Sequence, residues 1–108
     1  MPLVKVAELA ALPPGSVAEV ITDNGGVFAI CNVEGAIFCI EGTCPHAGGP
    51  LGQGTLNGDL LVCPWHGWEF NCRSGINDFD EDVQLKTFPV RIENQQVMVE
   101  LPELPVTE

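Results

Sequence analysis

Two short stretches of this sequence carry side chains that bind metals. Cys44-Pro45-His46 and Cys63-Pro64-Trp65-His66 each supply one soft thiolate and one imidazole. Sixteen residues separate His46 from Cys63, and the chain has two histidines in all. Pro45 and Pro64 stiffen the turns between the candidate ligands. Two thiolates and two imidazoles suit tetrahedral zinc, or an iron–sulfur centre in which histidines replace two cysteines. Zinc modules commonly place two cysteines ahead of two histidines on a helix. Here each stretch mixes the two types, and no helical pattern follows Cys63. Mixed pairs suit a two-iron centre in which cysteines hold one iron and histidines the other.

The other cysteines ask for less. Five is an odd number, so a closed disulfide framework cannot use them all. Cys31 and Cys39 lie in apolar runs and are expected as small core residues. Cys72, within Asn71-Cys72-Arg73-Ser74-Gly75, is expected in a turn and partly exposed. With no third histidine, no tyrosine and no Gly-rich phosphate loop after a strand, the chain offers no nucleophile–base pair. Catalysis by this chain alone is not expected.

The elements that must position these residues read as short β-strands. At 108 residues, with 45% hydrophobic and 18% charged, the chain has the size and apolar content of one folded domain. Turn signals recur every eight to twelve residues, the spacing of an all-β domain. Ser16 to Thr22 and Val27 to Val33 flank Asp23-Asn24-Gly25-Gly26, a hairpin signal, and Glu34-Gly35 turns the chain into Ala36 to Glu41. Near the C-terminus, residues 88–92 and 97–101 flank Glu93-Asn94-Gln95-Gln96 as a second hairpin, with Val97, Val99 and Leu101 on one face. Val6 to Leu12 is expected to form one or two helical turns before Pro13. Between Gly42 and Gly75 lie eight glycines and three prolines. That segment reads as a loop-rich insertion held by something other than a hydrophobic core. Residues 102–108 read as a loosely attached tail.

Charge narrows the partners. Fifteen acids against four bases give a net charge of −11. Such a field repels phosphate backbones and anionic lipid, which disfavours nucleic acid and membrane surfaces and favours a partner with a basic patch. The first residues lack the apolar core of a signal peptide, and no run approaches the ~20 apolar residues of a membrane helix. A cytoplasmic protein, monomeric in isolation, is expected. The acidic run Asp78-Phe79-Asp80-Glu81-Asp82 is expected as a solvated loop.

Cys44-x-His46, sixteen residues, then Cys63-x-x-His66 resembles the Rieske 2Fe–2S motif. The surroundings, Cys44-Pro45-His46-Ala47-Gly48-Gly49-Pro50-Leu51 and Cys63-Pro64-Trp65-His66-Gly67-Trp68-Glu69-Phe70, resemble it too, and with the flanking strands the likeness spans nearly the whole chain. It implies an all-β, sandwich-like base (1–42 and 76–108) carrying a small cluster-binding subdomain (43–75). It also implies one 2Fe–2S cluster, with Cys44 and Cys63 on the buried iron and His46 and His66 on the outer one. The Rieske proteins of respiratory cytochrome complexes carry an extra cysteine in each loop, joined by a disulfide; the positions here are Gly49 and Trp65. Those proteins also place a serine and a tyrosine where this chain has Trp68 and Phe70. Fewer hydrogen bonds to the cluster sulfurs imply a lower potential, nearer ~ −150 mV than +300 mV.

The chain thus looks like a soluble Rieske-type ferredoxin. The resemblance implies an electron carrier between a flavin-containing, NAD(P)H-dependent ferredoxin reductase and the terminal oxygenase of an aromatic-ring-hydroxylating system. A small subunit of an NAD(P)H nitrite reductase and a zinc-stabilised interaction module are the rival readings. Pro45, Ala47, Gly48, Gly49, Pro50 and Gly67, with Trp65 and Trp68, are expected to make an apolar docking tip ringed by acids.

Overall fold

Alternating apolar residues in β-branched runs build the strands of the computed structural model, which describes residues 3–22, 25–45, 48–65 and 67–101. Among these, ten strands form three antiparallel sheets. The first sheet has the order β1 (Leu3–Glu8), β10 (Gln96–Glu100), β9 (Val90–Glu93). The second has the order β2 (Val17–Ile21), β3 (Val27–Val33), β4 (Ala36–Glu41), β8 (Thr87–Phe88). The third joins β5 (Thr55–Asn57), β6 (Leu60–Val62) and β7 (Glu69–Asn71).

The second sheet is buried on both faces, and the side-chain alternation of its strands sorts residues between two cores. Phe28, Ile30 and Cys39 pack with Leu12, Val97, Val99 and Leu101 on the side of the first sheet. Their neighbours Ala29, Cys31 and Ile40 pack with Leu51, Leu61, Phe70 and Leu85 on the other side. This is the all-β, sandwich-like arrangement expected. Turn chemistry fixes the registers. Glu34 and Gly35 both have positive φ (53° and 99°), as do Asn94 and Gln95 (51° and 62°). Paired positive φ values match the twist of a tight hairpin. Gly26 donates to the Thr22 hydroxyl at 3.0 Å beside the first hairpin turn, whose Asp23 and Asn24 lie outside the described residues. Asn32, buried in β3, donates to the Leu12 carbonyl (2.7 Å) and accepts from the Gly35 amide (2.7 Å).

Three expectations need correction. Val6 to Leu12 is not a helix of one or two turns: Val6 to Glu8 continue β1, and only Leu9–Ala11 make a 3-10 turn. Pairing of β1 with β10 takes these residues, with a register shift between Lys5 and Ala7, and the Leu9 amide donates to the Gln95 carbonyl (2.9 Å). The 42–75 segment does have a hydrophobic core, because Leu51, Leu61 and Phe70 are fully buried against β3 and β4. Cys72 lies in a turn, but at 1% exposure it is buried rather than partly exposed. Its amide donates to the Asp59 carbonyl (2.9 Å), which holds the turn against that core. Cys31 and Cys39 are core residues, as expected. The 102–108 tail lies outside the described residues.

Candidate metal centre

Cys44 and Cys63 begin two loops built alike. An antiparallel pair, Thr43 with Pro50, closes the first; Val62 with Glu69 closes the second. Within the first, the Cys44 amide donates to the Gly49 carbonyl (2.9 Å) and the Gly48 amide to the Cys44 carbonyl (2.8 Å). Within the second, the Cys63 amide donates to the Trp68 carbonyl (2.8 Å) and the Gly67 amide to the Cys63 carbonyl (3.1 Å). The offsets are the same in both. So is the turn residue that allows them, a glycine with φ of +76° at Gly48 and +74° at Gly67. Only glycine takes that conformation without a Cβ penalty.

The loops meet. A Cβ added at Gly49 would lie 2.6 Å from Cys63 Sγ and 3.3 Å from Trp65 Cγ, so the first loop packs directly on the second. Cys44 (1% exposed) and Cys63 (2%) sit in one buried cluster with Leu51, Leu61 and Phe70. Around them Pro45, Gly48, Pro64 and Gly67 are exposed, and Trp65 is 57% exposed. His46, Ala47 and His66 lie outside the described residues. Among the described residues no three His, Cys, Asp or Glu side chains gather into a metal site. Two of the four expected ligands are described, and the structure brings those two into one core.

Trp68 packs on that core and meets Phe79 edge-on, with ring centroids 4.9 Å apart. Asn77 sets this contact. Its buried side chain donates to the Glu69 carbonyl (3.2 Å) and accepts from the Phe79 and Asp80 amides (3.1 and 2.9 Å). Asn77 is not among the candidates from spacing and residue type; the run Asn77-Asp78-Phe79-Asp80 carries the side-chain turn signal that marks it. Residues 78–82 are exposed, as expected. They place acids beside the aromatic flank of the loops.

The remaining thiols are not alike. Burial pushes the Cys39 thiol up to about 12. Cys31 and Cys72 are buried in one core, and each shifts the ionisation of the other. The Cys31 thiol holds Cys72 below the usual thiol range, while Cys72 and burial drive Cys31 upward.

The donor set fits a cluster gripped between two loops. Each loop offers one buried cysteine, each is rigidly closed, and the crossing at Gly49 leaves room for no side chain between them. Comparison with known proteins agrees. Residues 2–89 match the Rieske [2Fe-2S] domain family. The ferredoxin component of a biphenyl 2,3-dioxygenase from Rhodococcus jostii (strain RHA1) is 32% identical over 102 residues, 94% of each chain. A ferredoxin solved in complex with the oxygenase of carbazole 1,9a-dioxygenase superposes with a TM-score of 0.82 at 31% identity, covering 90% of this chain and 91% of that one. A candidate NADH-dependent nitrite reductase small subunit from Mycobacterium tuberculosis superposes with a TM-score of 0.84 over 95% and 97% of the chains. At 18% identity it shares the fold.

Proposed function

The chain belongs to the Rieske [2Fe–2S] domain family, and from that premise we propose that it carries single electrons from a flavin-containing, NAD(P)H-dependent reductase to a terminal oxygenase. It is an electron carrier with a Rieske-type 2Fe–2S cluster and not itself a catalyst. The observation that carries the proposal is the pair of matched loops. They bury Cys44 and Cys63 together beneath an exposed apolar rim of Pro45, Pro64 and Trp65.

Cys44, His46, Cys63 and His66 are the proposed ligands, the cysteines on the inner iron and the histidines on the outer. When bound, the cluster takes up and releases one electron. The chain's residues do the rest. The core around the two cysteines excludes water, and the loop hydrogen bonds hold both residues against movement between oxidation states. Trp65 offers apolar contact area at the rim, and the acids at 78–82 favour a partner with a basic face. Segment 43–75 is proposed as the cluster-binding unit on a base of 1–42 and 76–108. Its core is completed by Ala29, Cys31 and Ile40 of that base. Five buried cysteines suit the reducing cytoplasm. Among the described residues no helix is long and apolar enough to cross a membrane.

Metal analysis and electron paramagnetic resonance test this directly. The purified protein should hold two irons and show a Rieske-type signal on reduction, with a potential near ~ −150 mV. Cys63→Ala and His66→Ala should lose the iron, and Cys39→Ala should keep it. A colourless protein with stoichiometric zinc would favour the interaction-module reading and sink this one. Tight co-purification with a sirohaem-bearing subunit would favour the nitrite reductase reading.

A further inference from the structure

A loop outside the two cysteine loops also reaches the core of the proposed cluster site. It runs from Asn77 to Val83 and is closed on itself: the Asn77 amide donates to the Val83 carbonyl (2.9 Å) and the Val83 amide to the Asp80 carbonyl (3.0 Å). Val83 packs on the core that holds Cys44 and Cys63. The buried Asn77 side chain bonds the Glu69 carbonyl on one side and the Phe79 and Asp80 amides on the other. Glu69 directly follows Trp68, and its carbonyl also accepts from the Asp78 amide (2.8 Å). The loop is thus fastened to β7 at the point where the second cysteine loop closes.

Within Asp78-Phe79-Asp80-Glu81-Asp82 four side chains are acidic and one is apolar. The apolar one meets Trp68, edge-on at 4.9 Å. Trp68 in turn packs on the cysteine core and lies tilted against the buried Phe70, with ring centroids 6.4 Å apart. Its carbonyl accepts the Cys63 amide (2.8 Å). We propose that Phe79 is a positioning residue for the cluster site: held in place by Asn77, it seats the Trp68 indole on the core of Cys44 and Cys63 and keeps water from that flank.

The inference rests on the reading of the chain as a Rieske-type carrier, and that reading fixes the direction of the effect. Two ferric irons, two sulfides and two thiolates cancel in charge, so reduction leaves one negative charge on the centre. Water at the flank favours that charged state, and an apolar cover disfavours it. Removing the Phe79 ring should therefore raise the reduction potential. Neutralising a neighbouring acid has the same sign but a different signature. Exposed carboxylates such as Glu81 are screened by salt, whereas the cover given by an uncharged ring is not. Phe79 itself is 65% exposed, so its replacement leaves the core of the fold intact.

The test is a redox titration of the iron-loaded chain, followed by electron paramagnetic resonance at low (~0.05 M) and high (~0.5 M) salt. Phe79→Ser should shift the midpoint upward by a similar amount at both. Phe79→Leu, which keeps an apolar cover, should stay near the parent. Glu81→Gln should shift upward at the lower salt only. Iron loss to a chelator should run about two- to tenfold faster in Phe79→Ser, the range expected for losing one edge-on aromatic pair. Asn77→Ala should move the potential the same way, and adding Phe79→Ser to it should change little more, since both act through Trp68. A Phe79→Ser potential equal to the parent's or below it would overturn the proposal, and so would a shift that vanishes at high salt. A contact that merely supports the fold would lower the melting temperature and leave the potential unmoved. The Phe79 variants decide the matter even where Asn77→Ala fails to fold. A parent chain that takes up no iron would overturn the carrier reading and this inference together, whereas a loaded parent with an insensitive potential overturns this one alone.

Discussion

Gly49 is constrained by its neighbour rather than by its own backbone. Its added Cβ would lie 2.6 Å from Cys63 Sγ, while a Cβ at Gly48 would meet nothing within 4 Å. Gly49→Ala should therefore push the second loop off the first, costing about 1–3 kcal/mol. Because the displaced atom is a proposed ligand, iron content per chain should fall along with the melting temperature. A variant with full iron occupancy would show that the contact is slack. Cys39 gives a pH signature. Unfolded, its thiol ionises near 9; folded, it holds its proton to about 12. The native state thus binds more protons above pH 9, and stability falls as pH rises from 9 towards 12. The slope from this group is about 1.4 kcal/mol per pH unit. Urea titrations at pH 8 and 10 should show a smaller difference in Cys39→Ala than in the parent chain. The core role of Cys39 was legible from its apolar neighbours. The burial of Cys72 was not, because Asn71, Arg73 and Ser74 on either side are polar and the backbone bond to Asp59 that helps hold its turn inward is not local in the chain.

The two cysteine loops share one hydrogen-bond scheme, so equivalent substitutions in them should behave alike. Gly48 and Gly67 occupy the same turn position with the same positive φ and open space around them. Gly67→Ala should cost about 1–2 kcal/mol of backbone strain, and Gly67→Asn less, since asparagine tolerates the left-handed region. The corresponding drop in melting temperature is about 4–8 °C per kcal/mol for a domain of this size. Differential scanning calorimetry should rank the chains parent, Asn, Ala; equal melting of all three would mean that the turn relaxes freely. Elements differed in how clearly they could be read. β4 spans Ala36–Glu41, the run its sequence marks, because Glu34-Gly35 punctuates it. Val6 to Glu8, the end of β1, read as helical turns because their partner, β10, lies some ninety residues away and local pattern carries no trace of it. The loop-rich segment reads as coreless because its glycines and prolines break up the apolar residues between them. Leu51, Leu61 and Phe70 share their core with Ala29, Cys31 and Ile40 of β3 and β4, which lie outside the segment.

At the scale of the molecule, a net charge of −11 should govern how fast a partner arrives more than how tightly it holds. Attraction to a basic reductase or oxygenase face acts over a Debye length of ~10 Å at 0.1 M salt and ~3 Å at 1 M. The second-order rate of electron transfer, followed by stopped-flow absorbance, should drop about tenfold or more between 0.05 and 0.5 M salt. A flat salt profile would mean that apolar contact at Trp65 and its neighbours directs docking without help from charge. The sandwich itself has a further consequence. Since β3 alternates its side chains between two cores, a substitution such as Ile30→Ala damages one of them and Cys31→Ala the other. Deleting a single residue from β3 would instead exchange the two sets, handing each lobe the side chains cut to fit its opposite. Sequence change in this strand can therefore proceed by replacement, one face at a time, but never by a change of length.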